Sequence, residues 1–371
     1  MKICCVFNYN PLYRFPIYSA MGDTFDCDFF FGDSVFEPLK QFDPTSLKGF
    51  VKYIKARKIF LGYIWHSGIR NIFSTKYDVF IIGGSQTYVI NWLVMIYAKI
   101  FRKKILYWTH GFKKQVNLKK ISVTKLYHSM IDQYLVYNEY NTRYMVRGGI
   151  SQKKINFINN SLDTEKQTQI YKTLSPSNIY REYFKNDNPT ILYIGRIQRV
   201  KKTEQILEAM SLLKSKGIYL NLVVIGSNVD DDIFDKKLME YKLEECVWMY
   251  GPCFEEKKNA ELIYNAKVCV SPGNVGLTCI HVLSYGTPVV TNNNLSMQMP
   301  EFEAIVEGKT GSFFQENDIE DLAKHIQHWI SLSDKQRMEC RSIARKTIEE
   351  KWSVNYQIEI LKKLLLLPTN I

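Results

Sequence analysis

Short apolar runs alternate along this chain with longer stretches in which apolar residues recur at helical spacing. The pattern is clearest after residue 190. Thr190–Gly195, Leu220–Gly226, Val247–Gly251, Lys267–Pro272 and Pro288–Thr291 read as buried strands. Between them Thr203–Lys216, Asp231–Leu243, Glu255–Asn265 and Val275–Tyr285 read as helices. In the first of these Ile206, Leu207, Met210 and Leu213 share one face. Continuous apolar strands separated by helices predict a parallel sheet covered on both sides. Several of the strands end in glycine, where a chain turns sharply towards a ligand.

The first half repeats this plan less clearly. Lys2–Phe7, Tyr77–Ile82, Lys104–Trp108 and Gln133–Tyr137 read as strands, with helices over Tyr88–Phe101 and near Glu139–Gly148. Residues from about 160 to 188 turn polar and read as a linker. The expectation is an α/β chain of two doubly wound domains facing a cleft. Ligands in such sheets bind at the carboxyl ends of the strands, which places His110, Gly195 and Gly273 around it.

Composition changes this picture little. The 371 residues are 46% hydrophobic and 23% charged, which excludes disorder and disulfide-rich miniproteins. No apolar run reaches the ~18 residues of a membrane helix; Val89–Phe101 is shorter and holds Asn91 and Lys99. The first residues turn polar too early for a signal peptide. Eight cysteines are scattered without zinc spacing, so reduced cytosolic thiols are expected, with Cys4, Cys5 and Cys269 buried in strands.

Charge changes it more. Residues 1–150 hold 21 Lys and Arg against 9 Asp and Glu, whereas residues 151–371 hold 28 of each. The whole excess of +12 therefore sits in the first part and calls for an anionic partner. It gathers in two segments. Lys48–Arg70 interleaves Lys52, Lys55, Arg57 and Lys58 with Phe60, Leu61 and Trp65. Lys99–Lys125 includes Lys103, Lys104, Lys113, Lys114, Lys119 and Lys120. Bases beside aromatics suit an anionic bilayer surface. No nucleic-acid motif accompanies the charge, and no GxGxxG follows a strand, so neither nucleic-acid binding nor nicotinamide chemistry is expected. His66, His128, His325 and His328 form no metal-ligand cluster with carboxylates, and Asp230-Asp231-Asp232 reads as a capped helix start.

Three segments in the second half form a recognisable set: Gly195-Arg196-Ile197-Gln198-Arg199-Val200-Lys201; Ser271-Pro272-Gly273-Asn274-Val275-Gly276-Leu277-Thr278 continuing to Gly286-Thr287-Pro288-Val289-Val290; and Glu303–Gly311 (EAIVEGKTG). In order and spacing they resemble the donor domain of family-4-type retaining glycosyltransferases, the group 1 enzymes of the GT-B fold. The resemblance covers residues 190–335 well and the first half in outline.

It implies two Rossmann-like domains. Residues 1–175 would bind the acceptor, residues 176–352 the nucleotide-sugar donor, and a helix over 353–371 would pack back on the first domain. Arg196 and Lys201 would hold the diphosphate, whose developing charge needs fixed cations and N–H groups. Gly195, Gly273, Asn274, Gly276, Leu277 and Thr278 would form the donor loops, with the N–H groups of Leu277 and Thr278 and the Thr278 hydroxyl facing the phosphates. Here the chain departs from the family. Two glutamates eight positions apart are replaced by Gly273 and His281. His281 can still bond a ribose hydroxyl, but Gly273 has no side chain for the sugar. Asn274, Gln298, Glu301 and Glu303 are the nearby candidates for that contact. The family glycine after Lys201 is Lys202 here. His110 is a candidate for catalysis or sugar contact, and Arg14 for the acceptor side.

The expected activity is transfer of a UDP- or GDP-linked sugar to a glycan or lipid-diphosphate-linked acceptor in bacterial capsule, O-antigen or exopolysaccharide synthesis. No cofactor or metal is expected. The expected location is cytoplasmic, peripheral on the inner face of the membrane. A nucleotide-sugar epimerase or hydrolase on the same fold, or an inactive sugar-nucleotide-binding subunit, stays open.

Overall fold

A computed structural model of the chain describes residues 1–33, 40–112, 122–229 and 232–366. Lys113, Lys114, Lys119, Lys120, Asp230, Asp231 and the end of the expected last helix, 367–371, lie outside the described residues. The chain divides into two units, one of 1–162 with the segment from Val354 onward, the other Asp163–Ser353.

The first unit runs β1 (Lys2–Phe7), α1 (Phe15–Thr24), β2 (Asp26–Gly32), β3 (Phe50–Lys58), β4 (Ile64–Ser67), β5 (Val79–Gly83), α2 (Val89–Ile100), β6 (Lys104–Thr109), α3 (Ser122–Ser129), β7 (Gln133–Val136), α4 (Glu139–Gly148) and β8 (Ile155–Phe157). Its sheet has the order β4-β3-β2-β1-β5-β6-β7-β8, parallel except where β4 returns antiparallel to β3. β1 lies inside the sheet, and alternate residues take opposite faces. Ile3, Cys5 and Phe7 pack with Ile17 and Met21 of α1. Cys4 and Val6 pack with Val94 and Met95 of α2 on the other side. A strand buried on both faces cannot alternate polar with apolar, which is why it reads as one apolar run.

The second unit runs α5 (Thr164–Tyr171), α6 (Ile179–Phe184), β9 (Thr190–Ile194), α7 (Glu204–Ser215), β10 (Asn221–Ile225), α8 (Asp232–Glu240), β11 (Val247–Met249), α9 (Glu256–Asn265), β12 (Cys269–Ser271), α10 (Leu277–Ser284), β13 (Val289–Asn292), β14 (Gly311–Phe314), α11 (Ile319–Ile330) and α12 (Asp334–Lys351). Its parallel sheet has the order β11-β10-β9-β12-β13-β14. The polar stretch read as a linker holds two short helices, α5 and α6. α5 packs on α9 and α10, and the Tyr180 hydroxyl of α6 donates to the Leu262 carbonyl at 2.6 Å. Residues 163–175, assigned above to the first domain, thus belong to the second unit.

The last helix, α13 (Val354–Leu366), rejoins the first unit. Ile358, Leu361, Leu364 and Leu365 recur at helical spacing and are buried in the core that α1 covers. The Lys104 ammonium reaches the Leu364 carbonyl at 2.5 Å, meeting the negative end of this helix. Burial holds its pKa below the usual lysine value. Lys104 is therefore a structural cation, not part of a basic surface. Among the described residues no helix is long and apolar enough to cross a membrane.

Candidate functional site

In the second unit the strand order reverses between β9 and β12, and an open α/β sheet binds ligands outside the carboxyl ends at such a point. Gly195 follows β9 there, and Gly273 follows β12. Gly273 is buried, and a Cβ on it would stand 2.2 Å from the Val200 carbonyl oxygen and 2.5 Å from the Lys201 Cα. Its N–H donates to the Lys201 carbonyl at 2.9 Å. Its own carbonyl accepts from Thr291 at 3.2 Å, Asn292 at 2.9 Å and Gln298 at 3.3 Å. The backbone of the loop carrying Lys201 thus occupies the space a glutamate side chain would need. Gln298 is committed to holding this loop, since its carbonyl oxygen also accepts from the Val275 N–H at 2.7 Å.

Asn274, next on the loop, holds Lys201. Its ammonium donates to the Asn274 carbonyl and to Asn274 Oδ1, both at 2.7 Å. Burial lowers its pKa to about 8; the neighbouring Arg196 pushes the same way, and Glu301 opposes them. Arg196 is exposed, and its carbonyl accepts from the Tyr193 hydroxyl at 2.7 Å. Lys202 points elsewhere. It takes the left-handed φ of 50° that the family glycine would take freely, and its ammonium bonds Glu316 at 2.7 Å.

Gly276 caps α10, whose first N–H groups have no partner within the helix. Leu277 and Thr278 supply the first two. The Thr278 hydroxyl donates to the Ile194 carbonyl at 3.0 Å, so its proton ties α10 to β9 rather than facing outward. Glu301 and Glu303 lie on a 3-10 turn over Pro300–Ala304. Glu301 is buried, with Oε2 4.0 Å from where a Gly276 Cβ would stand; Glu303 is half-buried.

His281 lies one helical turn further along α10. Its Nε2 lies 3.0 Å from Glu256 Oε1, and the same oxygen accepts from Tyr285 at 2.6 Å and from Gln167 at 3.2 Å. Burial alone would raise the Glu256 carboxyl, but the bonds from His281, Tyr285 and Gln167 outweigh it and hold it at about 2. With a carboxylate at Nε2, a neutral His281 carries its proton there and offers Nδ1 as an acceptor. Sequence reasoning missed Glu256. It sits on α9, 25 positions before His281, and nothing local marks it.

Residues 175–347 match the family described as "Glycosyl transferases group 1". The second unit is a group 1 glycosyltransferase domain. Over its whole length the chain has the GT-B fold. It is 23% identical to an "uncharacterized 41.2 kDa protein in cps region" of Klebsiella pneumoniae over 308 residues, covering 79% of this chain and 81% of that one. It is 25% identical over 221 residues to the Staphylococcus aureus capsular polysaccharide biosynthesis glycosyltransferase CapM, covering 56% and 51% of the two chains. The crystal structure of Anabaena Alr3699/HepE in complex with UDP superposes with a TM-score of 0.74 at 15% identity, covering 99% of this chain and 100% of that one.

In the first unit, Arg14 and His110 come together around Tyr137. Arg14 is buried, donates to the Tyr137 hydroxyl, and lies 5.1 Å from both the Tyr137 and Trp108 ring centroids. His110, exposed after β6, lies with its ring 4.6 Å from that of Tyr137. The buried Trp108 indole N–H has no hydrogen-bond acceptor among the described residues. No carboxylate pairs with Arg14 among them either. Arg14 is a caged cation, held by aromatic faces and phenol oxygens.

Proposed function

We propose that this glycosyltransferase takes a UDP- or GDP-linked sugar and transfers it, with retention, to a glycan or lipid-diphosphate-linked acceptor in bacterial capsule, O-antigen or exopolysaccharide synthesis. One observation carries the donor half: Lys201, fixed by Asn274 beside Arg196, at the switch point of a parallel sheet. On this reading Arg196 and Lys201 meet the charge that develops on the departing diphosphate, with the first N–H groups of α10. Fixed protein cations then do the work a metal would do. The leaving phosphate helps remove the acceptor proton on the same face of the sugar, and the enzyme chiefly orients the two substrates. His281 accepts a ribose hydroxyl at Nδ1, Asn274, Glu301 and Glu303 serve the sugar side, and Arg14 with His110 serves the acceptor. That HepE was crystallised with UDP supports the nucleotide, and the cps-region and CapM relatives support the pathway. The basic excess of the first 150 residues supports work at an anionic membrane surface.

A thermal-shift screen of UDP- and GDP-sugars, followed by transfer assays with the best binder, tests this. One class of nucleotide sugar should stabilise the protein. Arg196→Ala and Lys201→Ala should each lower transfer by about a hundredfold, with melting unchanged in the exposed Arg196 variant and the fold kept in both. No stabilisation by any nucleotide sugar, or near-normal transfer in both variants, overturns the donor assignment. Sugar released to water without any acceptor marks a hydrolase instead.

A further inference from the structure

β3 and β4 form an antiparallel ribbon at the edge of the first unit's sheet, pairing Lys55 with Ser67, Ala56 with His66, Arg57 with Trp65 and Lys58 with Ile64. Alternation sorts it into two faces. Ile54, Ile64 and His66 are buried, whereas Tyr53, Lys55, Arg57 and Trp65 are exposed. At the turn Phe60 and Leu61 are 83% and 76% exposed. Leu61 holds a φ of 57°, a left-handed conformation unfavourable for a leucine. Two large apolar side chains at a strained tip, beside an outward aromatic and basic face, form a contiguous patch of the kind that marks an interaction site.

The charges identify the partner. Lys55 and Arg57 have no acidic partner among the described residues, so their charge is available. The second basic segment differs. Lys99 is bridged to Asp132 at 2.6 Å, Lys103 donates to the Thr75 carbonyl at 3.1 Å, and Lys104 is buried under α13. A second copy of this chain would bring Lys55 and Arg57 against their own kind across a two-fold axis. A bilayer of acidic lipid meets them with opposite charge and receives the apolar tip.

We propose that the β3–β4 ribbon is the membrane-docking element of this enzyme. Phe60 and Leu61 enter the acyl boundary of an anionic bilayer, Lys55 and Arg57 lie at the phosphates, and Tyr53 and Trp65 settle among the headgroups. This rests on the membrane reading above and narrows it to one hairpin.

The test is co-sedimentation of the full chain with vesicles rich in phosphatidylglycerol, and with phosphatidylcholine alone, at low and high salt. Wild type should bind the acidic vesicles, more weakly in salt. Phe60→Ser with Leu61→Ser should weaken binding by about tenfold or more. Lys55→Gln and Arg57→Gln should cost about fivefold each and flatten the salt dependence. Lipid brominated in its acyl chains should quench Trp65, measured as the difference between wild type and Trp65→Phe. All these side chains are exposed, so melting should not change. No binding by wild type overturns the membrane reading and the ribbon with it. Undiminished binding by the Phe60/Leu61 variant, with no quenching of Trp65, overturns the ribbon alone. Self-association that this variant abolishes, without lipid binding, assigns the tip to a second copy and overturns the proposal.

Discussion

The Lys201 ammonium gives up water to reach Asn274, and that burial, with Arg196 beside it, brings its pKa from the ordinary 10.5 to about 8. A diphosphate favours the charged form, so binding should weaken as pH rises through about 8. Lys201→Arg keeps its charge throughout, so the weakening should vanish in that variant. Calorimetric titration with UDP across pH reads both, and a wild-type affinity unchanged above pH 8 contradicts the assignment. A second expectation concerns His281. Glu256→Leu removes the carboxylate that holds the imidazole proton at Nε2 and the ring in place, so Nδ1 is no longer fixed as an acceptor for the ribose. The variant should lose most of its preference for UDP over 2′-deoxy-UDP, while a purely structural Glu256 would weaken both alike. Lys201 was legible because a short motif carries it along one loop. Glu256 was not, because its partner arrives from another helix, and a single sequence does not show which helices meet.

Two loops are joined at Gly273, and here a local departure from the family pattern becomes a statement about packing. Restoring the family residue by Gly273→Glu should not improve the enzyme. The Cβ alone would stand 2.2 Å from the Val200 carbonyl oxygen, and the loop holding Lys201 must move. Overpacking of this kind costs about 1–3 kcal/mol, so we expect a lowered Tm together with weaker UDP binding. A variant with wild-type melting and tighter binding contradicts the loop contact. At the same scale, the central strands were legible because burial on both faces leaves unbroken apolar runs. β1, β6 and β9 begin where the pattern places them. β3 and β4 were not legible as strands, because an edge ribbon with one face in solvent mixes lysines with aromatics and reads as a basic segment. β2, β8 and β14 were also unassigned; β8 is only three residues long. Residues from about 160 to 188 were read as linker because the two helices within them are short and polar on the outside.

Across the whole molecule the chain leaves the first unit at Leu162 and re-enters it at Val354. The core over α1 is closed by Ile358, Leu361, Leu364 and Leu365 from the returning helix. Leu361→Ala, at a fully buried position, should destabilise the first unit by about 2–5 kcal/mol, read by denaturant unfolding. Residues 1–162 produced alone should expose that apolar face and aggregate, whereas 163–353 should fold and bind UDP; a soluble, cooperatively melting 1–162 contradicts the role of α13. The same return path sets a clock during synthesis. At about 5–20 residues per second, the ribosome spends roughly 10–40 s on Asp163–Ser353 before α13 emerges. For that interval the first-made half of the enzyme waits with its apolar groove open while the later-made half can already fold. A nascent chain arrested near residue 353 is where this protein should be most dependent on a chaperone.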